Sequence, residues 1–247
     1  MQQTIYHRIL LLANIHPAVT GFCPGKSVSD NARVHLGRKN VLKVDLHDFF
    51  PSIRSPRVRA AFREMGYSRP IAKVLAELCC LRCCLPQGAP TSPALSNIIA
   101  YPMDKKMMAL AGEYGLVYTR YADDLTFSGD YLPKDEVLVR IHRIIREEGF
   151  TMNVKKTRFL SEHKRKIITG VSVSSGKKMT LPKVKKREIR KNVHYVLTKG
   201  LVGHQEHIGS TDPVYLKRLL GSLCYWRSIE PDNRYVSDSI TALKRLM

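Results

Sequence analysis

The chain has 247 residues, 44% hydrophobic and 25% charged, the composition of a globular protein with one large core or two modest ones. Its 41 Lys and Arg against 21 Asp and Glu leave a net charge of +20, an excess that asks for an anionic partner, nucleic acid first. No apolar run reaches the ~18–20 residues of a membrane span and the N-terminus MQQTIYHRILLLANIHP lacks a signal-peptide cleavage pattern, so the expectation is a cytoplasmic protein with no membrane partner.

In chain order, Ile5 to Ala13 predicts a short helix that stops near His16-Pro17. Gly21 to Ser27 (GFCPGKS) predicts a loop. It imitates a phosphate-binding loop but has three residues between its glycines where that motif needs four, and it lacks the strand–loop–helix frame. Asp30 to Gly37 predicts a short helix, and the alternating, β-rich Val41 to Leu46 a central strand. Pro56 to Met65 and Pro70 to Cys80 each open on proline, a favoured first helical position. Pro93 to Ala111 predicts a further helix bent at Pro102.

Leu116 to Ser128 (LVYTRYADDLTFS) reads as two β-rich arms around Ala122-Asp123-Asp124, a hairpin with acids at its tip. Lys134 to Glu148 is the clearest amphipathic helix, with Val137, Leu138, Ile141, Ile144 and Ile145 in one stripe. Short strands are expected at Thr157–Leu160, Lys166–Val173 and Lys178–Leu181. From Lys183 onward the chain reads helical, with Leu216–Trp226 and Tyr235–Leu246 as separate helices and a boundary near Leu181-Pro182.

The six cysteines include four in LCCLRCCL, where helical spacing stacks Cys79 over Cys83 and Cys80 over Cys84. Core thiols are the expectation; a zinc site lacks its second ligand pair. From Thr151 to Lys191, 14 Lys or Arg face only Glu162 and Glu188, so this stretch carries +12 of the charge. Lys183, Lys186, Arg187, Arg190 and Lys191 share overlapping faces of one predicted helix, the footprint of contact with a phosphate backbone. A solvated charge run is the alternative. Tyr195, Tyr225 and Trp226 have the chemistry to stack on bases, with core packing the competing expectation for the one tryptophan.

Against this basic background, the carboxylates Asp45, Asp123 and Asp124 stand out. Adjacent aspartates at a turn are ordinarily solvated. Here they are flanked by Tyr121, Ala122, Leu125 and Phe127, and a second acid ends the strand Val44-Asp45-Leu46. If those strands are neighbours, three carboxylates converge, which is costly unless hard cations neutralise them. Paired Mg²⁺ ions are the recurring solution in phosphoryl-transfer enzymes.

These segments resemble a family. Val44-Asp45-Leu46-His47-Asp48-Phe49-Phe50-Pro51-Ser52-Ile53, Leu85-Pro86-Gln87-Gly88-Ala89-Pro90-Thr91-Ser92-Pro93, Arg120-Tyr121-Ala122-Asp123-Asp124 and the run from Gly149-Phe150 to Lys156-Thr157 are similar, in order, to successive motifs of reverse transcriptases. Asn31-Ala32-Arg33-Val34-His35 resembles the Asn-Ala-x-x-His signature of the retron type. Ile168-Thr169-Gly170 resembles its Val-Thr-Gly signature, with Ile in place of Val.

The resemblance implies an α+β right-hand polymerase with a ferredoxin-like palm, an antiparallel sheet packed on helices, with partial fingers and a small helical thumb. Its divisions would be partial fingers over 1–40, palm with the first catalytic strand over 41–67, a fingers–palm junction over 68–90, palm with the Asp-Asp hairpin over 91–181 and thumb over 182–247. It implies RNA-directed DNA synthesis from deoxynucleoside triphosphates on a structured noncoding RNA, yielding a DNA product, with a possible effector-protein partner in defence against phage. Asp45, Asp123 and Asp124 would be catalytic and, with the Leu46 carbonyl, hold two Mg²⁺ ions, with Mn²⁺ as a substitute.

Phe50, Gln87 and Lys156 would meet the nucleotide, Phe50 against the sugar 2′ position and Lys156 beside the pyrophosphate. Asn31, His35, Thr169, Gly170, Lys186, Arg187 and Arg190 would contact RNA. A turn role for Gln87 and a solvated pair for Lys155 and Lys156 remain open alternatives. The family's basic fingers hairpin has no counterpart here, so Lys26, Arg33 or Lys39 is expected to grip the triphosphate unless the N-terminus is shortened. Rival readings are a group II intron or abortive-infection type reverse transcriptase and, from another class, an RNA-binding scaffold with impaired catalysis.

Overall fold

The computed structural model describes residues 1–246; Met247, the last residue of the expected 182–247 segment, lies outside the described residues. A short helix, α1 (Gln2–Arg8), passes through a 3₁₀ turn at Leu10–Leu12, so the single helix expected over Ile5–Ala13 is two pieces. Helix α2 (Val28–Arg33) starts at a capping box in which Ser27 and Asp30 satisfy each other's backbone N–H.

Strand β1 (Asn40–Asp45) leads into the one-turn α3 (Phe49–Ser52), then α4 (Ser55–Glu64) and α5 (Arg69–Cys79). The helix expected across Pro93–Ala111 is two helices, α6 (Ser92–Ile99) and α7 (Tyr101–Glu113), because the break falls at Ala100 and Pro102 enters α7 in its first turn, where its missing N–H costs nothing. Strands β2 (Val117–Tyr121) and β3 (Asp124–Gly129) form the hairpin, followed by α8 (Lys134–Glu147) and β4 (Arg158–Leu160).

The four strands form one antiparallel sheet in the order β2-β3-β1-β4. With helices between β1 and β2 and between β3 and β4, this is the β-α-β-β-α-β arrangement expected from the resemblance. β1 is central, as its alternation predicts. Leu42 and Val44 face a core shared with Phe62, Leu95, Met103, Met107, Phe127 and the α8 stripe Val137, Ile141 and Ile145. Each of these large side chains, once fully buried, contributes roughly 1.5–3 kcal/mol.

Val41, on the opposite face of β1, joins a second core with Ile168, Val171, Val193, Leu219, Leu223, Trp226 and Val236. This core lies under α9 (Lys183–His207, kinked at Gly200), α10 (Tyr215–Ile229) and α11 (Arg234–Lys244). Trp226 is wholly buried here, as core packing predicts.

Three further local expectations need correction. The stretch Lys166–Val173 is a small hairpin, β5 (Ile167–Ile168) and β6 (Val171–Ser172), because Thr169 (φ 44°) and Gly170 (φ 82°) turn the chain; Lys178–Leu181 adds only a bridge from Thr180 to Ser172. The stacked cysteines do not form either. Helix α5 ends at Cys79, and Arg82 (φ 50°) and Cys83 (φ 62°) reverse the chain so that Cys84 bridges Arg54. Of the four, only Cys79 is a core thiol, and Cys83 is exposed. No described helix is long and apolar enough to cross a membrane.

Candidate active site

The register of β1 on β3 places Asp45 directly opposite Asp124, with Asp123 in the turn beside them. This pairing follows from the strand pattern. Leu42 and Val44 must face the first core, which fixes Asp45 at the strand's end on the other face. The ladder continues through backbone bonds from the Leu46 N–H to the Asp123 carbonyl (3.0 Å) and from the Asn153 N–H to the Asp45 carbonyl (2.7 Å). The sheet end is thereby tied to the segment that carries Lys156.

A cleft of about 400 Å³ opens here, lined by Asp45, Leu46, Phe50, Gln87, Asp123 and Lys156 among the expected residues. Lys156 donates from Nζ to Asp45 Oδ2 at 3.2 Å, and this bond and charge raise its pKa. The other oxygen, Asp45 Oδ1, is buried and has no hydrogen-bond partner among the described residues. Burial raises the Asp124 carboxyl, reinforced by Asp123 and Asp45 and opposed by Lys43 and Lys156. The acid lone pairs and the orphaned oxygen are the donor set that a hard divalent cation takes. Among the described residues no three such side chains are already gathered closely enough to enclose a metal.

The same cleft holds residues that sequence reasoning missed: Phe22, His47, Asp48 and Asn153. Phe22 (φ 59°) stands 6.1 Å from the Phe50 ring and 6.3 Å from Tyr121, ring centre to ring centre. The signal for it in the sequence is the one large ring in the GFCPGKS loop. Gln87 is exposed at the turn before Gly88 (φ 84°), so it occupies a turn and lines the cleft at once.

The expected RNA contacts divide. Asn31 and His35 are fully buried, which corrects their assignment as direct contacts. His35 bridges Ser128 Oγ (2.6 Å) and Thr119 Oγ1 (2.8 Å), and burial holds its pKa down at about 3. Asn31 accepts from Thr20 Oγ1 at 2.8 Å and donates to Thr169 Oγ1 at 3.3 Å, so the two retron-like signatures meet in space. Thr169 is half-buried and Gly170 exposed.

On α9, Arg187 and Arg190 are exposed. Arg190 lies over the Trp226 and Tyr235 rings at 5.4 and 5.1 Å. Lys186 is corrected in part: its side chain is 20% exposed and its Nζ lies 2.6 Å from Glu230 Oε1, so much of its charge is spent within the protein.

Residues 1–195 match the reverse transcriptase (RNA-dependent DNA polymerase) family. The chain is 37% identical over 210 residues to the Retron Ec86 reverse transcriptase of Escherichia coli, covering 84% of this chain and 65% of that protein. It is 36% identical over 238 residues to the Retron Mx65 reverse transcriptase of Myxococcus xanthus, covering 88% and 53%. It thus spans between half and two thirds of these curated relatives. Among solved structures, apo telomerase from Candida tropicalis truncated from its C-terminal domain aligns with a TM-score of 0.50 at 10% identity, covering 73% of this chain and 43% of that one, a likeness of fold alone.

Proposed function

The chain belongs to the reverse transcriptase family, in its retron type, and on that premise we propose that it is an RNA-directed DNA polymerase extending a primer on a structured noncoding RNA. The observation that carries the reading is the cross-strand pair Asp45 and Asp124 with Asp123 beside it, of which Asp45 and Asp123 line a cleft that also holds Phe50, Gln87 and Lys156. The retron type is the support for the structured RNA template and for a role in phage defence with an effector partner.

In this reading the four-stranded sheet with α4 and α6 to α8 is the palm, the segments before β1 supply partial fingers, α5 lies at the fingers–palm junction, and α9 to α11 form the thumb. Asp45, Asp123, Asp124 and the Leu46 carbonyl would hold two Mg²⁺ ions, which when bound supply Lewis-acid activation of the primer hydroxyl and charge neutralisation on the triphosphate. Phe50, half-buried and backed by Phe49 at 5.6 Å, walls the sugar's 2′ side. Gln87 contacts the incoming nucleotide or template. Lys156 has a 63% exposed side chain, so it can leave Asp45 and donate a proton to the departing pyrophosphate.

The test is primer extension on an RNA template with Mg²⁺ and deoxynucleotides. Wild type is expected to extend and Asp123→Asn to be inactive. Equal activity in both would remove the turn aspartates from the chemistry. Inactivity of both, with RNA binding retained, would favour a scaffold instead.

A further inference from the structure

The β2–β3 turn has an unusual foundation. Its Ala122 sits at φ 56°, a left-handed conformation that costs a residue with a side chain on the order of 1 kcal/mol and persists only where the surroundings impose it. Beneath it lies Arg120, whose side chain is 0% exposed and paired with the equally buried Asp104. Nε donates to Asp104 Oδ1 at 2.8 Å and Nη2 to Oδ2 at 2.7 Å. Nη1 donates to the Asn97 side-chain oxygen and to the Ala122 carbonyl, both at 3.1 Å.

Asn97 in turn donates from Nδ2 to the Gly21 carbonyl at 2.9 Å. Gly21 closes the ring. A Cβ on it would lie 2.6 Å from the Ala122 nitrogen, so only glycine lets that backbone rest against the turn. Ala122 is thus held at its carbonyl by a guanidinium and abutted at its nitrogen by the Gly21 backbone, with Tyr118 completing the Asp104 shell at 2.7 Å.

We propose that Arg120, Asp104, Asn97 and Gly21 form a buried clamp that positions the Ala122–Asp123 peptide and so holds the turn aspartates where they bind divalent cations. The clamp rests on the polymerase reading of that turn. These are positioning residues, because the wholly buried guanidinium lies apart from the lining of the cleft.

Two physical points separate the clamp from ordinary core packing. A buried ion pair is in general no more stabilising than well-packed apolar side chains, so stability alone does not explain keeping one here. The contacts also need the planar five-donor fork: an ammonium could satisfy Asp104 but could not at the same time span Asn97 and the Ala122 carbonyl. Arg120→Lys therefore keeps the charge and loses the grip. Gly21→Ala leaves the ion pair intact and presses on the turn at the Ala122 nitrogen.

Both variants and Asp123→Asn are compared with wild type in three measurements: thermal melting, Mn²⁺ affinity by electron paramagnetic resonance, and single-nucleotide extension kinetics. In Arg120→Lys and Gly21→Ala, kcat is expected to fall by ~10–100-fold, the scale of a misplacement of about 1 Å. Mn²⁺ binding should weaken in step, while KM for the nucleotide and RNA affinity stay within about twofold of wild type. Folded variants with unchanged kcat and Mn²⁺ affinity overturn the clamp. So does melting of both below the assay temperature, which would assign these residues to the core alone. If wild type extends no primer, or Asp123→Asn matches it, the polymerase reading fails. Mn²⁺ affinity then decides the clamp separately: weakening in both variants sustains it, and equal affinity, or none in wild type, overturns it.

Discussion

Beneath the β2–β3 turn the Arg120 guanidinium is wholly buried and spends four hydrogen bonds on fixed partners, whereas along α9 Arg187 stands in solvent, with no ion pair among the described residues. Burial alone would lower the Arg120 pKa, but the Asp104 carboxylate beside it overrides this and raises it, so the charge is retained inside. The sheet layer uses charge to fix position. The C-terminal helices carry charge outward, where it acts on an anion over a screening distance. In such a molecule, chemistry and affinity are separable by substitution.

After loss of a turn aspartate, the largest expected effect on the sheet side concerns shape. Phe50→Val removes the ring that packs against Phe22 and Phe49 at the cleft. Ribonucleotide incorporation relative to deoxynucleotide should rise by ~10–200-fold, with RNA affinity unchanged. Competition between the two nucleotides on one template measures it. A fall in both rates at constant preference would make Phe50 a packing residue and leave the cleft without a sugar wall.

His35 tests whether the sheet side tolerates any uncommitted charge. Its ring is held between two hydroxyls, and burial, aided by the Arg38 charge, pushes it down from 6.5 to about 3. Below pH 6.5 the unfolded chain takes up a proton that the folded ring refuses. Its contribution to stability is therefore complete above that pH and is lost progressively toward pH 3, at about 1.4 kcal/mol per pH unit. Denaturant unfolding at several pH values should show His35→Gln shallower than wild type by that slope. Identical slopes would mean the folded ring titrates normally.

The parts legible in the sequence were those with a local cause. The alternation of Val41, Leu42 and Val44 fixes β1 and therefore which face Asp45 takes. The Val137–Ile145 stripe specifies α8, and the β-rich arms around Ala122-Asp123 specify the hairpin. What escaped depends on partners distant in the chain. Arg120 was visible only as a motif letter, since Asp104 lies 16 residues earlier on another element. His35 and Asn31 looked like surface recognition residues because their partners, Ser128 and Thr169, lie 93 and 138 residues away. The retron-like triplet was read within a strand, while the positive φ of Thr169 and Gly170 makes it a turn.

Lys186 is the residue on which the contrast between the two sides turns, and it yields the smallest effect. A sequence reading places Lys186, Arg187 and Arg190 on one phosphate-tracking face. The structure instead gives Lys186 a partner in Glu230, which also accepts from the Leu181 N–H at 2.8 Å and from Asn233 at 2.9 Å. Burial opposes ionisation of Glu230, but these partners, Lys186 foremost, lower its pKa. A cation already paired in this way releases few counterions when nucleic acid arrives. An exposed cation that meets a phosphate changes the slope of log affinity against log salt by roughly 0.7–0.9 per contact. Arg187→Gln should therefore flatten the salt dependence of RNA binding by about that amount. Arg190→Gln should do so by less, because its guanidinium is already stacked on Trp226 and Tyr235. Lys186→Gln should leave the slope nearly unchanged and instead destabilise the α9–α10 junction, seen as a lower melting temperature. Affinities measured across a salt series for the three single variants decide it. Equal flattening by all three would mean that the Lys186–Glu230 pair opens freely in solution and that α9 presents one uniform basic face. No flattening by any would mean that RNA passes elsewhere and that the charge of the C-terminal helices is merely solvated.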